Sequence, residues 1–302
     1  FALVVVLTLA LGIGANTAIF SLIYGILLRP FPYRDAERIV RVESVDTKTT
    51  GNIQGGSQLD LGDWQQHTRG FDSFGLYITF PSILNTGVGA SQSVTLTFTS
   101  QQVFPLLGAN PALGRGFQPE EDQIGGDVLK AVLSYGLWQA SFGGERDVLG
   151  RTVQLRGATY TIVGVMPPGF RFPERSDVWV PLQARYAGYK ADFWKARDFR
   201  PHTAIARIKD GVTLEQAQAE IGALGAQLAR EFPNTNEGIQ LRIKPLREAE
   251  VGNIRPYLLL LGGAVGLVLL ICCVNVANLL LARGAARERE LAIRAALGSS
   301  RW

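Results

Sequence analysis

Two long stretches without charged side chains dominate this 302-residue sequence. Residues 1–28 and 256–282 contain no Asp, Glu, Lys or Arg, and they enclose a block, residues 29–255, that holds most of the ionisable groups. A helix rising about 1.5 Å per residue needs roughly 20 apolar residues to cross a hydrocarbon layer. A charge at the centre of that layer costs about 2.5–3.5 kcal/mol on insertion scales. We therefore predict that both uncharged stretches are transmembrane helices.

The excess positive charge lies just after the second uncharged stretch. Residues 283–302 contain five Arg and two Glu, whereas residues 29–255 contain 25 basic and 24 acidic side chains. Short loops rich in Arg and Lys next to membrane helices face the cytoplasm. We therefore predict that 283–302 is cytoplasmic and that 29–255 is an extracytoplasmic domain. The balanced charge of that domain gives no reason to expect nucleic-acid binding.

The chain begins at Phe1 and ends at Trp302, inside what reads as a continuing segment, so we expect it to belong to a longer protein. A cleaved signal peptide is the alternative interpretation of residues 1–28. The apolar part of a signal peptide is usually about 7–15 residues long, which favours a retained helix. Cys272 and Cys273, in the second stretch, read as small apolar side chains and not as a metal site or disulfide.

Both predicted transmembrane helices carry small residues four positions apart, a pattern that allows another helix to approach closely. The second helix also contains two asparagines three residues apart, which places them on one face. We interpret these asparagines as donors of interhelical hydrogen bonds, and a place in a substrate path is the alternative. The predicted packing residues are Ala10, Gly14, Ala18, Gly262, Gly266, Asn275 and Asn278.

The central block shows both helical and strand patterns. Helices are predicted at 57–70, 135–142 and 214–231, strands at 38–45, 94–99, 131–134, 202–209 and 239–246, and a hairpin at 152–166. The strand–helix–strand order around 214–231 predicts an α/β lobe, and the hairpin predicts a second, β-rich lobe. The predicted fold class is an α+β extracytoplasmic domain with these two lobes, flanked by two transmembrane α-helices.

Motifs of known catalytic sites are missing from the sequence. There is no Gly-Lys dipeptide for a phosphate-binding P-loop and no G-x-S-x-G for a serine nucleophile. His67 and His202 have no Cys or His partner at ligand spacing, so we interpret both as surface or capping residues. Residues 120–122, all acidic, are interpreted as a solvated helix start or turn. We therefore expect no catalytic residue, no metal, no cofactor and no enzymatic activity.

Residues 185–200 interleave five basic and five aromatic side chains. We interpret this segment as a loop that packs its aromatic rings on its own domain. A surface for a protein or a lipid headgroup is the alternative interpretation.

The segment after the second uncharged stretch predicts a charged helix that ends at Gly298. Glu290 and Arg294 form an i,i+4 pair in the favourable order. A helix of this kind suits contact with a cytoplasmic partner, and a juxtamembrane helix held by anionic headgroups is the alternative. The Gly-Ser-Ser sequence at 298–300 interrupts the heptad pattern of a sensor linker.

Several segments resemble MacB/FtsX-type ABC transporter permeases. ERELAIRAALGSSR resembles the segment that follows the second membrane helix in those permeases, and LSYGLWQASFGGERDVLGRTVQLRGATYTIVGVMPPGFRFP (133–173) resembles their MacB-like periplasmic core domain. LTLALGIGANTAIFSLIYGILLRPFPY is similar to the first helix of the large duplicated orphan permeases of acidobacteria and related bacteria. The resemblance extends over essentially the whole chain.

The resemblance implies the permease component of an ABC-type transporter in the bacterial inner membrane. It implies that a separate cytoplasmic ABC ATPase drives motion of the extracytoplasmic domain, for export or for handling a substrate outside the membrane. A second permease domain or homodimer partner, the lipid bilayer and a periplasmic adaptor protein are the other partners that it suggests. The implied ATPase-coupling segment contains Glu290, Arg294, Leu297 and Gly298.

Two other classes of protein remain open from the residues alone. An extracytoplasmic ligand-sensing domain between the two helices of a membrane receptor has the same organisation up to residue 282. An extracytoplasmic enzyme is the third class, and it lacks support because no catalytic constellation is present.

Overall fold

The computed structural model describes residues 2–28, 31–49, 52–87, 90–123, 125–173, 175–187, 196–252 and 254–296. The chain forms two compact units, one comprising Phe1–Pro30 with Glu250–Trp302 and the other Phe31–Ala249. The helices are α1 (Ala2–Ile23), α2 (Gln58–His67), α3 (Val103–Leu107), α4 (Tyr135–Phe142), α5 (Leu214–Glu231), α6 (Pro233–Asn236), α7 (Leu246–Val251) and α8 (Arg255–Ala296). The strands are β1 (Ile39–Asp46), β2 (Asn52–Gln54), β3 (Phe71–Asn85), β4 (Gln92–Thr99), β5 (Leu113–Gly114), β6 (Lys130–Leu133), β7 (Thr152–Leu155), β8 (Ala158–Val165), β9 (Val178–Pro181), β10 (Thr203–Ile208) and β11 (Ile239–Pro245).

In the second unit, the strands of the described residues form one mixed sheet. Its order is β11-β1-β10-β3-β4-β9-β6-β8-β5, with β2 beside β1 and β7 beside both β3 and β8. Strand β4 runs parallel to β9, and β6 runs parallel to β8, while the other pairs are antiparallel. The mixed α/β fold class is confirmed, and the two predicted lobes share this sheet.

Local sequence patterns explain why these elements form. Thr213 and Gln216 close a capping box at the start of α5, and the apolar stripe of that helix is buried against the sheet. Ser57 and Asp60 close a second capping box at the start of α2. The predicted hairpin corresponds to β7 and β8, which turn at residues 156–157, both with positive φ.

The sheet is covered on both faces. Leu76 and Tyr77 are neighbours in β3, and successive strand residues point to opposite faces. Leu76 lies in a large apolar cluster with Trp64 of α2 and Ile221 of α5. Tyr77 lies in a second cluster with Phe104 of α3, in which Trp179, Phe170 and Phe172 also pack. Most sheet positions are therefore apolar, which makes alternation a weak signal for the central strands.

Two predictions about solvent exposure, for His202 and for the acidic run at 120–122, were wrong. His202, predicted to be a surface or capping residue, is only 1% exposed, because it pairs with Gly56 in an isolated bridge and is covered by Tyr186. The acidic run at 120–122 does lie in a short helix, the 3-10 helix Pro119–Asp122. However, Glu121 is buried and forms a bidentate ion pair with Arg115 at 2.6 and 2.7 Å, so the run is not simply solvated.

Candidate functional site

Helices α1 and α8 pack through one polar side chain and one close backbone approach. The Asn16 Nδ2 group donates to the Val265 carbonyl oxygen at 3.1 Å and to the Gly12 carbonyl oxygen of its own helix at 3.0 Å. A Cβ atom added at Gly12 would lie 3.3 Å from the Cys272 Sγ atom. Asn16 therefore uses both of its amide hydrogens, and Gly12 lets the second helix come close.

Most of the predicted packing residues do not form this contact. Gly262 is half-buried, and an added Cβ would lie 3.0 Å from the Ile23 Cδ1 atom, so this predicted residue does face α1. The other predicted packing residues are exposed on these two helices, and any contact they make with further helices stays a prediction. They are Ala10, Gly14, Ala18, Gly266, Asn275 and Asn278.

The outer surfaces of this helix pair are apolar and uncovered. Leu11, Tyr257 and Leu260 are each 75% exposed, and the segments Val6–Ile23 and Arg255–Ile293 have the length and composition of membrane spans. Apolar surface left in water costs about 25 cal/mol per Å². Two helices of this kind are therefore suited to lipid as their surroundings, and they are candidate transmembrane helices.

The predicted coupling segment lies partly outside the described residues. Helix α8 continues without interruption to Ala296, so the backbone of Glu290 and Arg294 is helical. The side chains of these two residues, and all of Leu297 and Gly298, lie outside the described part of the chain. Their proposed role stays a prediction.

In the second unit, Arg207 of β10 holds the segment that follows the first uncharged stretch. Its guanidinium Nη2 donates to the Arg34 and Leu106 carbonyl oxygens at 2.5 and 2.6 Å, and its Nε also donates to Leu106 at 2.8 Å. The Asp35 carboxylate lies 3.6 Å from the Arg207 Nη1 atom. Residues 34 and 35 are therefore fixed to the sheet and to the end of α3.

A buried ion pair fixes a second segment, at 197–200. The Arg200 Nε group donates to the Asp60 Oδ2 atom at 3.0 Å, and both side chains are almost fully buried. The Nη1 and Nη2 groups of Arg200 donate to the Thr235 carbonyl oxygen at 3.3 Å and to the Asn236 Oδ1 atom at 3.0 Å, respectively. Arg197 lies 3.6 Å from Asp60. One guanidinium thus joins the start of α2 to α6.

Sequence reasoning found the Asp60 cap but missed both arginine clusters. Their partners lie 101 to 173 residues away for Arg207 and 140 residues away for the Arg200–Asp60 pair. No local pattern marks such a pair. The only available signal was that Arg207 stands in a strand that is otherwise apolar, where a charge must find partners.

Asp122 and His202, both in this unit, have strongly displaced pKa values. Burial raises the pKa of Asp122 to about 6, although the backbone N–H groups of Gln101 and Gln183 donate to its carboxylate. Burial lowers the pKa of His202 to about 4. Its neutral ring bridges the Tyr186 hydroxyl at 2.5 Å and the Gly56 carbonyl oxygen at 3.0 Å.

The two displacements have opposite effects on stability. The folded-state pKa of Asp122 lies above its ordinary value of 3.8, so the stability contributed by Asp122 falls as the pH rises from 4 to 6. The folded-state pKa of His202 lies below its ordinary value of 6.5, so its contribution is lost as the pH falls from 6.5 to 4. In the wild type, the two contributions to the free energy of unfolding therefore change in opposite directions with pH.

We expect Asp122→Asn to remove the contribution of Asp122, so that the pH dependence of the free energy of unfolding due to His202 can be measured. Relative to wild type, the free energy of unfolding of this variant should rise with pH between 4 and 6, by up to about 1.4 kcal/mol per pH unit. Urea titrations at half-unit pH intervals measure this slope. Asp210→Asn is the control, because the Asp210 side chain is 98% exposed and should leave the slope unchanged. An identical pH profile for Asp122→Asn and wild type would refute the assignment.

We also expect Asn16→Leu to weaken the contact between α1 and α8. The substitution removes the hydrogen bond to Val265, and polar contacts between membrane helices are worth about 0.6–2 kcal/mol. Disulfide trapping between cysteines placed on the two helices measures the contact. Thr17→Val is the control, since the Thr17 hydroxyl bonds only within its own helix, to Ile13. Equal trapping yields for Asn16→Leu and Thr17→Val would contradict the prediction.

In the described part of the chain, no group of three or more His, Cys, Asp or Glu side chains could hold a metal ion. The described residues present two other features. They are a pair of apolar helices and an α/β domain whose connecting segments are held by buried arginines.

Comparison with known proteins agrees with these features. The model of the MacB-like periplasmic core domain family matches residues 2–224. The pyoverdine export ATP-binding/permease protein PvdT of Pseudomonas syringae pv. tomato is 24% identical over 199 residues, which cover 65% of this chain and 29% of that protein. The matched region therefore spans less than a third of the relative's length.

Three solved structures share the fold. A domain assigned to a permease protein of Porphyromonas gingivalis has a TM-score of 0.56 at 14% identity and covers 70% of this chain and 92% of its own. The periplasmic region of MacB from Actinobacillus actinomycetemcomitans has a TM-score of 0.53 at 16% identity, with coverages of 79% and 98%. The extracellular domain of the noncanonic ABC-type transporter YknZ from Gram-positive bacteria has a TM-score of 0.51 at 13% identity, with coverages of 67% and 98%.

Proposed function

Because this chain belongs to the family of MacB-like periplasmic core domains, within the ABC-type permeases, we propose that it carries ATP-driven motion across a membrane. A separate cytoplasmic ATPase would supply the motion, and the domain formed by residues 31–249 would receive it outside the membrane. The family match and the two apolar helices indicate a membrane protein with an extracytoplasmic domain. The bacterial inner membrane is our proposal for its location.

The observation that supports this coupling most directly is the length of α8. It is one helix of 42 residues, from Arg255 to Ala296, which at about 1.5 Å per residue is roughly 63 Å long. A hydrocarbon core about 30 Å thick uses less than half of that length. The remainder includes residues 283–296, which carry six charged side chains. We propose that this one helix connects the bilayer to a charged cytoplasmic end.

The direction of transport is proposed by analogy with a relative. The printed name of PvdT describes it as an export protein with ATP-binding and permease functions. We propose export, or handling of a substrate outside the membrane, for this chain as well. The present sequence has no Gly-Lys dipeptide for a P-loop, so we propose that nucleotide is bound by another polypeptide or domain. A second permease domain or second copy, and a periplasmic adaptor, are further proposed partners.

The coupling proposal is tested by charge removal on different faces of α8. Glu290→Ala with Arg294→Ala removes one acid and one base from the proposed coupling face. Glu288→Ala with Arg289→Ala removes the same charges, and position 288 is about 200° around the helix from 290. We expect co-purification of the full-length protein with a candidate ABC ATPase to fall at least tenfold for the first pair. The second pair should stay within twofold of wild type, and unchanged association of both would refute the coupling role.

A further inference from the structure

Strand β11 is one edge of the sheet among the described residues, and β5 is at the other end. Strand β11 pairs with β1 on one side, with Leu241 opposite Ser44 and Ile243 opposite Val42. Pro245, which lacks an N–H group, stands at the end of this strand, as proline does on strand edges. The other side of β11 is followed by no strand of the described chain. Open edges of this kind are templates for pairing with an added strand.

A side-chain amide occupies the middle of this edge. The Gln218 Oε1 atom of α5 accepts from the Ile243 N–H group at 2.8 Å, and the Gln218 Nε2 group donates to the Leu241 carbonyl oxygen at 3.3 Å. In a parallel sheet, one residue of the neighbouring strand makes the same two bonds, to a carbonyl and to the N–H two residues further on. Gln218 therefore stands in for one residue of a parallel strand.

Beside Gln218 lies a groove with room for more than a side chain. The groove has a volume of about 310 Å³ and lies between α5 and β11. On the helix side it is lined by Gly222 and Ala226, both small. A Cβ atom added at Gly222 would meet only the Gln218 Nε2 atom, at 3.6 Å, which is ordinary contact distance. The helix therefore leaves the space beside the edge unfilled.

We propose that this groove binds an extended segment of a partner protein, which adds to the sheet parallel to β11 and displaces the Gln218 amide. Main-chain hydrogen bonds to the edge supply affinity in this mode of recognition, and alternate side chains supply specificity. On one face the segment's side chains lie over Gly222 and Ala226, which favours apolar residues. On the other face they lie beside Arg242 and Lys244, which favours acidic residues.

Charge argues against a second copy of this chain as the occupant. Arg242 is exposed, and within the described residues it bonds to the Gln240 side chain at 3.1 Å and forms no ion pair. Lys244 has one acidic neighbour, Glu248, at 3.5 Å. Pairing β11 with β11 of another copy would bring these cations together, and like charges on paired strands are destabilising. A segment with alternating acidic and apolar residues has no such penalty.

The proposal is tested with the full-length chain in lipid nanodiscs and three synthetic peptides. The first is an eight-residue peptide of alternating Glu and Val, the second carries Lys in place of Glu, and the third is the acidic peptide with methylated backbone nitrogens. We expect the acidic peptide to bind and to slow amide hydrogen exchange at residues 239–243. We expect at least tenfold weaker binding of the other two, because one has the wrong charge and the other cannot donate to the edge.

Two variants and a control sharpen the test. Gln218→Ala removes the competing amide and should tighten binding of the acidic peptide about tenfold. Gly222→Leu fills the groove and should weaken it at least tenfold, whereas Gln227→Leu adds the same side chain to α5 outside the groove and should change nothing. Equal binding of the three peptides, no binding by any of them, or exchange protection away from β11 would overturn the proposal. Concentration-dependent pairing of the chain through β11 would also overturn it, and none of these outcomes depends on the ATPase.

Discussion

Replacing Arg200 with methionine is expected to lower the free energy of unfolding of the domain by about 3 kcal/mol. The substitution keeps an unbranched side chain of similar length but leaves the Asp60 carboxylate, only 2% exposed, without its closest cation. Breaking a buried ion pair by removing one partner typically costs about 3–5 kcal/mol. We expect the lower end because Arg197 stays 3.6 Å from Asp60. Urea unfolding of a soluble fragment spanning residues 31–249 measures the change.

Two further variants separate the ion pair from the loss of any arginine. Arg242→Met makes the same substitution at an exposed position and should change the stability by less than about 0.5 kcal/mol. Asp60→Asn combined with Arg200→Met removes both charges, so the double variant should be more stable than the sum of the single effects predicts. A loss below about 1 kcal/mol for Arg200→Met would show that the buried pair contributes little.

The elements that the sequence predicted are those whose signals lie within a few residues. The capping boxes at Ser57 and Thr213, the stripe of α5 and the turn at Gly157 each depend on neighbours along the chain, and the structure confirms them. The mixed α/β class followed from these elements together. The order of the strands did not, because pairing is decided by contacts between residues far apart in sequence.

The same limit explains what was missed at the candidate site. His202 is buried because the Gly56 carbonyl oxygen, 146 residues away, and the Tyr186 hydroxyl bond to its ring, and nothing beside His202 in the sequence reveals those groups. The partners of Glu121, Arg115 and the Gln118 N–H group, lie within six residues of it, but no helix or strand pattern in the sequence indicates that they meet. For the two candidate transmembrane helices, the sequence showed small residues on both and asparagines on the second, but not which face of α1 meets α8. The face of α1 that carries Asn16 meets α8. There the Asn16 amide donates a hydrogen bond to the Val265 carbonyl oxygen, and a polar side chain between apolar helices needs such a partner.

Replacing Arg207 with leucine is expected to lower the free energy of unfolding about as much as Arg200→Met does, and in addition to loosen one segment of the domain. Its guanidinium is the donor for the Leu106 and Arg34 carbonyl oxygens, and a buried acceptor left without a donor costs about 1–3 kcal/mol. We therefore expect a loss of about 3–4 kcal/mol in the free energy of unfolding. We also expect faster amide hydrogen exchange at residues 34–38, at urea concentrations far below the global unfolding transition.

The control for this variant is Arg34→Ala. The side chain of Arg34 is 69% exposed, whereas its backbone is held by Arg207 and by the Leu107 carbonyl oxygen, which accepts from the Arg34 N–H group at 3.3 Å. Removing that side chain should leave both stability and exchange close to wild type. Residue 34 lies six positions after the end of the first uncharged stretch, so in the coupling that we propose this segment is the chain connection from α1 to the domain. If Arg207→Leu exchanged no faster at 34–38 than Arg34→Ala, the segment would be held by its other contacts, and Arg207 would not be the anchor of the coupling path that we propose.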